Sequence, residues 1–262
     1  MLSVEFNKLR VFLLAGLFAL SLHGEGKLEQ VNQLYAMGLQ AYQRKDYTSA
    51  LSYFRKVVKL EELEDVKSAG AYFYLGVMYR HGQGVVKNLK KALGYLEDLL
   101  EQKDALDYLN RTAQKGISDA YIALCYYYGG SYYEGDKFTS AKDAQKNPEY
   151  FQKALEYAQK AADMGDSLGY AGLGMLYYAG VPIAKATIQK PTSQTDQQNL
   201  SWRPDYQKAL EYSQKAAKMG DPIGYMVLAM MYEYGQGVGE DEEMAKQYQQ
   251  RACDAGWTNV CD

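Results

Sequence analysis

The sequence predicts an all-α fold, a solenoid of tandem helix pairs, and three observations carry that prediction. The first is a recurring thirteen-residue block. Residues 153–165 read KALEYAQKAADMG and residues 208–220 read KALEYSQKAAKMG, while 104–116 (DALDYLNRTAQKG) and 244–256 (MAKQYQQRACDAG) are looser copies. The second is spacing. Each block closes on a glycine (Gly116, Gly165, Gly220, Gly256), and these lie 49, 55 and 36 residues apart. The shortest interval is the bare repeat, and the others carry 13 and 19 extra residues. A period in this range marks a stack in which each unit buries its face only against its neighbours. The third is the low proline content: five in 262 residues leaves room for uninterrupted helices.

Each unit opens with a helix. Counted from the preceding block glycine, position +5 holds Tyr121, Tyr170 and Tyr225, and +8 holds Leu124, Leu173 and Leu228. Position +9 holds the small residues Cys125, Gly174 and Ala229, and +12 holds Tyr128, Tyr177 and Tyr232. These offsets fall on one helical face. The stretch Tyr72–Tyr79 repeats the frame without a preceding block glycine. Glycine pairs then break the helix at Gly82-Gln83-Gly84 and Gly235-Gln236-Gly237. A second helix follows, carrying the block and capped by its glycine. The chain holds 26 tyrosines against 7 phenylalanines. Large rings with polar tips suit a thin core that is never far from water.

Three excesses interrupt the frame. KALGYLEDLLEQK at 91–103 is a near-duplicate half-block and predicts helix, as a longer second helix or an added one. The polar stretches at 130–147 and at Val181–Pro204 predict surface loops between the two helices of their units.

The N-terminus is a separate object. Lys8 and Arg10 precede a 12-residue apolar run, Val11 to Leu22. This predicts a secretory signal over 1–24. The run falls short of the roughly 20 residues a membrane helix needs, and an uncleaved anchor is the alternative.

Chemistry-bearing residues are sparse. Net charge is −3, which gives no footprint for nucleic acid. Outside the signal there is one histidine, His81, in a turn, where nothing sets up a triad with Cys125 or a serine. One histidine and three scattered cysteines predict no metal site and no cofactor. Cys125 reads as a small core residue. Glu240-Asp241-Glu242-Glu243 opens a helix, where carboxylates complement the dipole. No catalytic residue is assigned. Binding is the alternative to catalysis. Positions +6 and +10 are apolar in every unit, giving Phe73, Val77, Ile122, Tyr126, Met175, Met226 and Met230, with Tyr178 at +13. They either pack against the neighbouring unit or form a stripe for a protein or peptide partner.

The order Leu75-Gly76-x-x-Tyr79-x-x-Gly82-x-Gly84-Val85, followed by a Lys-Ala…Ala-Ala…Gly helix, resembles the Sel1-like repeat family, relatives of tetratricopeptide repeats. The resemblance covers about residues 68–262 and implies a right-handed α-solenoid. Upstream, Gly38, Ala41-Tyr42, Tyr47, Ala50 and Phe54 resemble one tetratricopeptide unit. The expected organisation is a signal at 1–24, a tetratricopeptide-like helix pair at 28–60 and a repeat with a helical insert at 68–116. Repeats with a loop insert (117–165) and a long loop insert (166–220) follow, then a bare repeat at 221–256 and a stapled C-terminus at 257–262.

Cys253 stands in the slot of Ala113, Ala162 and Ala217, and Cys261 in that of Tyr121, Tyr170 and Tyr225. The slot pair spans a turn between units, so a disulfide Cys253–Cys261 would pin the terminus. The Cys-x7-Cys spacing resembles the exported cysteine-rich Sel1-like proteins of Helicobacter and related bacteria, whose repeats are each stapled this way. Here only the last unit has it. The resemblance implies a secreted or periplasmic, monomeric binding scaffold, with β-lactam or peptidoglycan-fragment binding and weak β-lactamase-like hydrolysis as the alternative. None of the serine β-lactamase strings Ser-x-x-Lys, Ser-Asp-Asn or Lys-Thr-Gly occurs in the chain.

Overall fold

A computed structural model describes residues 28–64, 68–129, 133–134, 137–138, 148–184, 200–257 and 261. The expected signal over 1–24 lies outside the described residues. The chain divides into two units, Met1–Asp104 and Ala105–Asp262.

The first unit holds α1 (28–43), α2 (Tyr47–Glu64), α3 (Ala69–His81) and α4 (Leu89–Leu100). Its core is aromatic. Phe54 on α2 is fully buried and stacks on Tyr74 of α3, with centroids 5.1 Å apart and planes at 6°. Tyr42 of α1 meets the same Tyr74 ring at 4.8 Å. Gly38 lets α1 lie against this cluster, because a Cβ there would stand 2.6 Å from the Phe54 ring.

The second unit holds α5 (Ala105–Gln114), α6 (Ser118–Gly129), α7 (Pro148–Asp163), α8 (Ser167–Ala179), α9 (Tyr206–Lys218), α10 (Pro222–Glu233) and α11 (Glu242–Asp254). Consecutive helices pair as α6–α7, α8–α9 and α10–α11, as α3 pairs with α4 in the first unit. The predicted core stripe is buried: Leu124, Leu173 and Leu228 are closed off from solvent, as are Cys125 and Ala229. The facing helices contribute alanines, among them Ala154, Ala158, Ala161, Ala209 and Ala216. Small side chains there allow close helix approach.

Every pair closes through one kind of joint. The +12 tyrosine at the end of the first helix stacks on the block tyrosine of the second. Tyr79–Tyr95, Tyr128–Tyr157, Tyr177–Tyr212 and Tyr232–Tyr248 have centroids 5.6, 5.7, 5.7 and 5.7 Å apart, with planes within 22°. The backbone repeats the pattern. The N-cap residues Asn88, Asp205 and Asp241 each donate their N–H to the carbonyl of that tyrosine, at 2.9 Å in all three cases. Their side chains then accept from the amides of Lys91, Lys208 and Met244, three residues into the second helix.

Pairs are joined to one another by the block glycines. Gly116, Gly165, Gly220 and Gly256 all have positive φ, between 75° and 99°. Such an αL residue ends a helix by turning the chain back on itself. Behind the turn, the amides of Asp166, Asp221 and Trp257 reach back to the carbonyls of Ala161, Ala216 and Ala252.

One expectation is decided between its two alternatives, and one needs correcting. Residues 91–103 do not extend the helix of the 104–116 block. They form α4, which takes the role of the partner helix itself: its Tyr95 stacks on Tyr79 and its Lys91 stands over the same ring at 5.5 Å. The 104–116 block forms the separate helix α5, which packs on α6. The insert at Val181–Pro204 is also not simply loop. Its ends pair as antiparallel strands, β3 (Val181–Ala184) with β4 (Leu200–Arg203), in the register Val181↔Arg203 through Ala184↔Leu200. The reason is local. Strand β3 leaves α8 just where β4 enters its partner α9. The two chain ends therefore run side by side, and their backbone groups satisfy each other. A smaller ribbon, β1 (Tyr133–Glu134) with β2 (Lys137–Phe138), lies within the 130–147 insert.

Candidate functional site

The apolar positions read as a possible binding stripe divide into two groups. Phe73 and Val77 on α3, Met175 on α8 and Met226 on α10 are buried, with Met175 only 2% exposed. They serve helix packing, one of the two readings the sequence left open. Ile122 and Tyr126 on α6, Tyr178 on α8 and Met230 on α10 are half-buried. The second unit therefore offers four partly exposed apolar side chains on its first helices. Periodicity could not separate the two groups, because burial at +6 and +10 depends on what a neighbouring helix covers.

Tyrosines and cations form the other recurring surface feature. Lys153 stands 5.1 Å over the Tyr128 ring, Lys208 4.8 Å over Tyr177 and Lys215 5.1 Å over Tyr212. Arg251 stands 5.5 Å over Tyr248. In the first unit Arg55 donates to the Tyr79 hydroxyl. These cations hold the rings of the joint from the solvent side. Lysines 153, 160, 215 and 246 are also paired one helical turn back, with Glu149, Glu156, Glu211 and Glu242. The pairs hold the four ammonium groups above their usual range. The residue types of this surface were in the sequence all along; a Lys-Ala-Leu-Glu-Tyr run simply does not say which ring faces which.

The tyrosine with the most displaced phenol is Tyr178, pushed up to about 12, chiefly by burial and further by the Tyr206 and Tyr234 phenols and the Glu233 carboxylate. Its ring meets Tyr206 nearly edge-on at 5.8 Å.

Of the chemistry-bearing residues, His81 is exposed at the end of α3, and Cys125 is buried in α6 beside Gly172. Cys253 and Cys261 are joined by a disulfide, with Cα atoms 5.7 Å apart. Among the described residues, no three His, Cys, Asp or Glu side chains gather as a metal site. No helix there is long and apolar enough to cross a membrane.

Tandem helix pairs closed by one repeated joint define a helical-repeat scaffold. The family follows from the sequence match: the chain belongs to the Sel1 repeat family, whose model matches residues 13–59, 69–104, 118–166, 203–221 and 222–257. The match at 69–104 spans α3 and α4 and stops short of α5. Two curated relatives are similar to parts of the chain. "Putative beta-lactamase HcpC" of Helicobacter pylori is 36% identical over 88 residues, which is 34% of this chain and 28% of that protein. "Uncharacterized protein NMB1327" of Neisseria meningitidis is 28% identical over 186 residues, 71% of this chain and 29% of that protein. The chain thus spans under a third of the length of either relative. Among solved structures, a Sel1 repeat protein from Oxalobacter formigenes aligns with 21% identity and a TM-score of 0.41. That alignment covers 88% of this chain and 75% of the other. Immunity protein Pa5087 of Pseudomonas aeruginosa aligns with 16% identity and a TM-score of 0.37, covering 88% and 84%.

Proposed function

We propose that this chain is a non-catalytic scaffold that holds a protein or peptide, exported to the periplasm or the cell exterior of a bacterium. The observation that supports it is the set of half-buried apolar residues Ile122, Tyr126, Tyr178 and Met230, carried on first helices that the repeated joints hold rigid. Rigid helix faces with adaptable tyrosine and methionine tips are the means by which helical repeats grip extended or helical ligands. The disulfide and the signal-like N-terminus are the reason for the exported location.

The test is capture of a partner from bacterial envelope extract, followed by hydrogen exchange on the purified complex. Protection of α6 and α10, lost in Tyr126→Glu and Met230→Glu, is the expected result. A partner bound equally well by both variants overturns this surface as the site.

The name of the Helicobacter relative favours one other reading, binding or slow hydrolysis of a β-lactam. Nitrocefin turnover by the purified chain, above the solvent blank and lost in Cys125→Ala or His81→Ala, would support it. The scaffold reading expects no turnover above the blank.

A further inference from the structure

Tyrosine joints in this chain carry their own cations, but one aromatic group is built differently. Tyr178 at the end of α8, Tyr206 at the start of α9 and Tyr234 just past α10 gather beside Glu233. Gly237 brings the turn after α10 against this group, since a Cβ there would stand 2.7 Å from the Tyr206 Cβ. Gly235 places Glu240 at the same turn, with its Cβ 3.4 Å from where a glycine substituent would sit. Tyr234 is 59% exposed, and the Glu233 carboxylate beside it pushes its phenol up. Among the described residues, no lysine or arginine stands over Tyr206 or Tyr234. None pairs with Glu240 either. At the joints the chain supplies the cation; here the described residues supply rings and carboxylates.

We propose that Tyr206 and Tyr234, with Glu233 and Glu240, form a cation-recognition patch that takes an arginine-bearing segment of a protein partner. A guanidinium suits such a patch best. It is weakly hydrated, stacks on aromatic faces, and offers a planar fork of donors to a carboxylate. The acidic run Glu240–Glu243 beside the patch adds charge complementarity without consuming it: Asp241 caps α11, Glu242 pairs with Lys246 and Glu243 accepts from Gln247, leaving Glu240. This inference rests on the scaffold reading but names a different surface from the α6 and α10 side chains.

The experiment is calorimetric or NMR titration of the full chain with an end-blocked peptide carrying alternating arginine and glycine, and with its citrulline counterpart. Saturable binding of the arginine peptide and at least tenfold weaker binding of the citrulline peptide are expected. Tyr234→Leu and Glu233→Gln should each weaken binding about threefold to fivefold, and Tyr234→Phe should retain it. Glu156→Gln, an exposed carboxylate on α7, should change nothing. Equal binding of the two peptides overturns the proposal. So does full affinity in Tyr234→Leu, or a loss in Glu156→Gln matching that in Glu233→Gln. Loss of this patch with partner protection at α6 and α10 intact would sink the patch alone. Absence of both would sink the scaffold reading as well.

Discussion

The α8–α9 pair carries 19 residues between its helices that the α10–α11 pair lacks, yet both close in the same way. Tyr177–Tyr212 and Tyr232–Tyr248 stack at the same 5.7 Å, and Asp205 and Asp241 bond the preceding tyrosine carbonyl at the same 2.9 Å. The insert is tolerated because its two ends zip into the β3–β4 ribbon and return the chain to where a bare turn would have left it. The two pairs differ in the small slot. Gly174 in α8 lies so near α9 that a Cβ would stand 2.4 Å from the Ser213 Oγ, whereas α10 has Ala229 at that position. At this slot the insert-bearing pair has no room for the Cβ that α10 carries.

The sharpest break of this comparison lies at the glycines that meet backbone. A Cβ on Gly169 would stand 2.3 Å from the Ala162 amide nitrogen, and one on Gly224 would meet Ala217 N at 2.8 Å. Neither backbone can yield as a side chain would. Gly169→Val and Gly224→Val should each cost about 3 kcal/mol or more, read as a lower denaturation midpoint. Gly174→Ala should cost less, about 1–2 kcal/mol, because the nearest atom belongs to a serine side chain and the backbone atoms, Ser213 N and Ala209 O, stand further off at 3.1 and 3.4 Å, while Ala229→Gly costs about 1 kcal/mol. Equal effects at Gly174 and Ala229 would remove the asymmetry between the pairs.

The last pair has a staple that the α8–α9 pair lacks. Cys253→Ser should lower stability by about 2–3 kcal/mol for so short a loop, measured by thermal unfolding with and without reductant. Reductant should have no effect on the variant. Next in size are the joints. Double-mutant cycles at Tyr177/Tyr212 and Tyr232/Tyr248 should return the same coupling, about 0.5–1.5 kcal/mol. Asp205→Ala and Asp241→Ala should each cost about 1 kcal/mol through the lost cap.

One further effect is confined to high pH. The Tyr178 phenol is pushed from 10.0 up to about 12 in the folded chain, first by burial. Below the unfolded value both states hold the proton and stability is level. Between pH 10 and 12 the unfolded chain loses that proton first, so stability falls as pH rises. Tyr178→Phe should lessen the slope in that window, read by urea unfolding across it.

Much of this was legible before any coordinates. The +12 tyrosines and the +8 leucines are spaced by the helix itself, so period alone assigns them to one face. The cysteine pair could be placed because its two slots recur in every unit. The +4 glycines are not legible, although Ala120, Gly169 and Gly224 share that offset, because a lone small residue signals nothing until another backbone is beside it. Spacing leaves the partner of α3 open for a similar reason. Two candidate blocks follow α3 in sequence, and only the ring of Tyr95 against Tyr79 selects between them. Ile122, Tyr126 and Met230 share the +6 and +10 offsets with the buried Phe73, Val77, Met175 and Met226, so spacing alone does not sort them.

By itself the sequence determined what is local and periodic: helices, their caps, their glycine stops and the face each must bury. Those follow from backbone geometry and apolar spacing, which every copy of the repeat restates. Tertiary structure decided which helix partners which, which rings stack, and which apolar tips stay in contact with solvent. Those outcomes depend on contacts between residues far apart in the chain, and a periodic pattern fits more than one such pairing until packing excludes the rest.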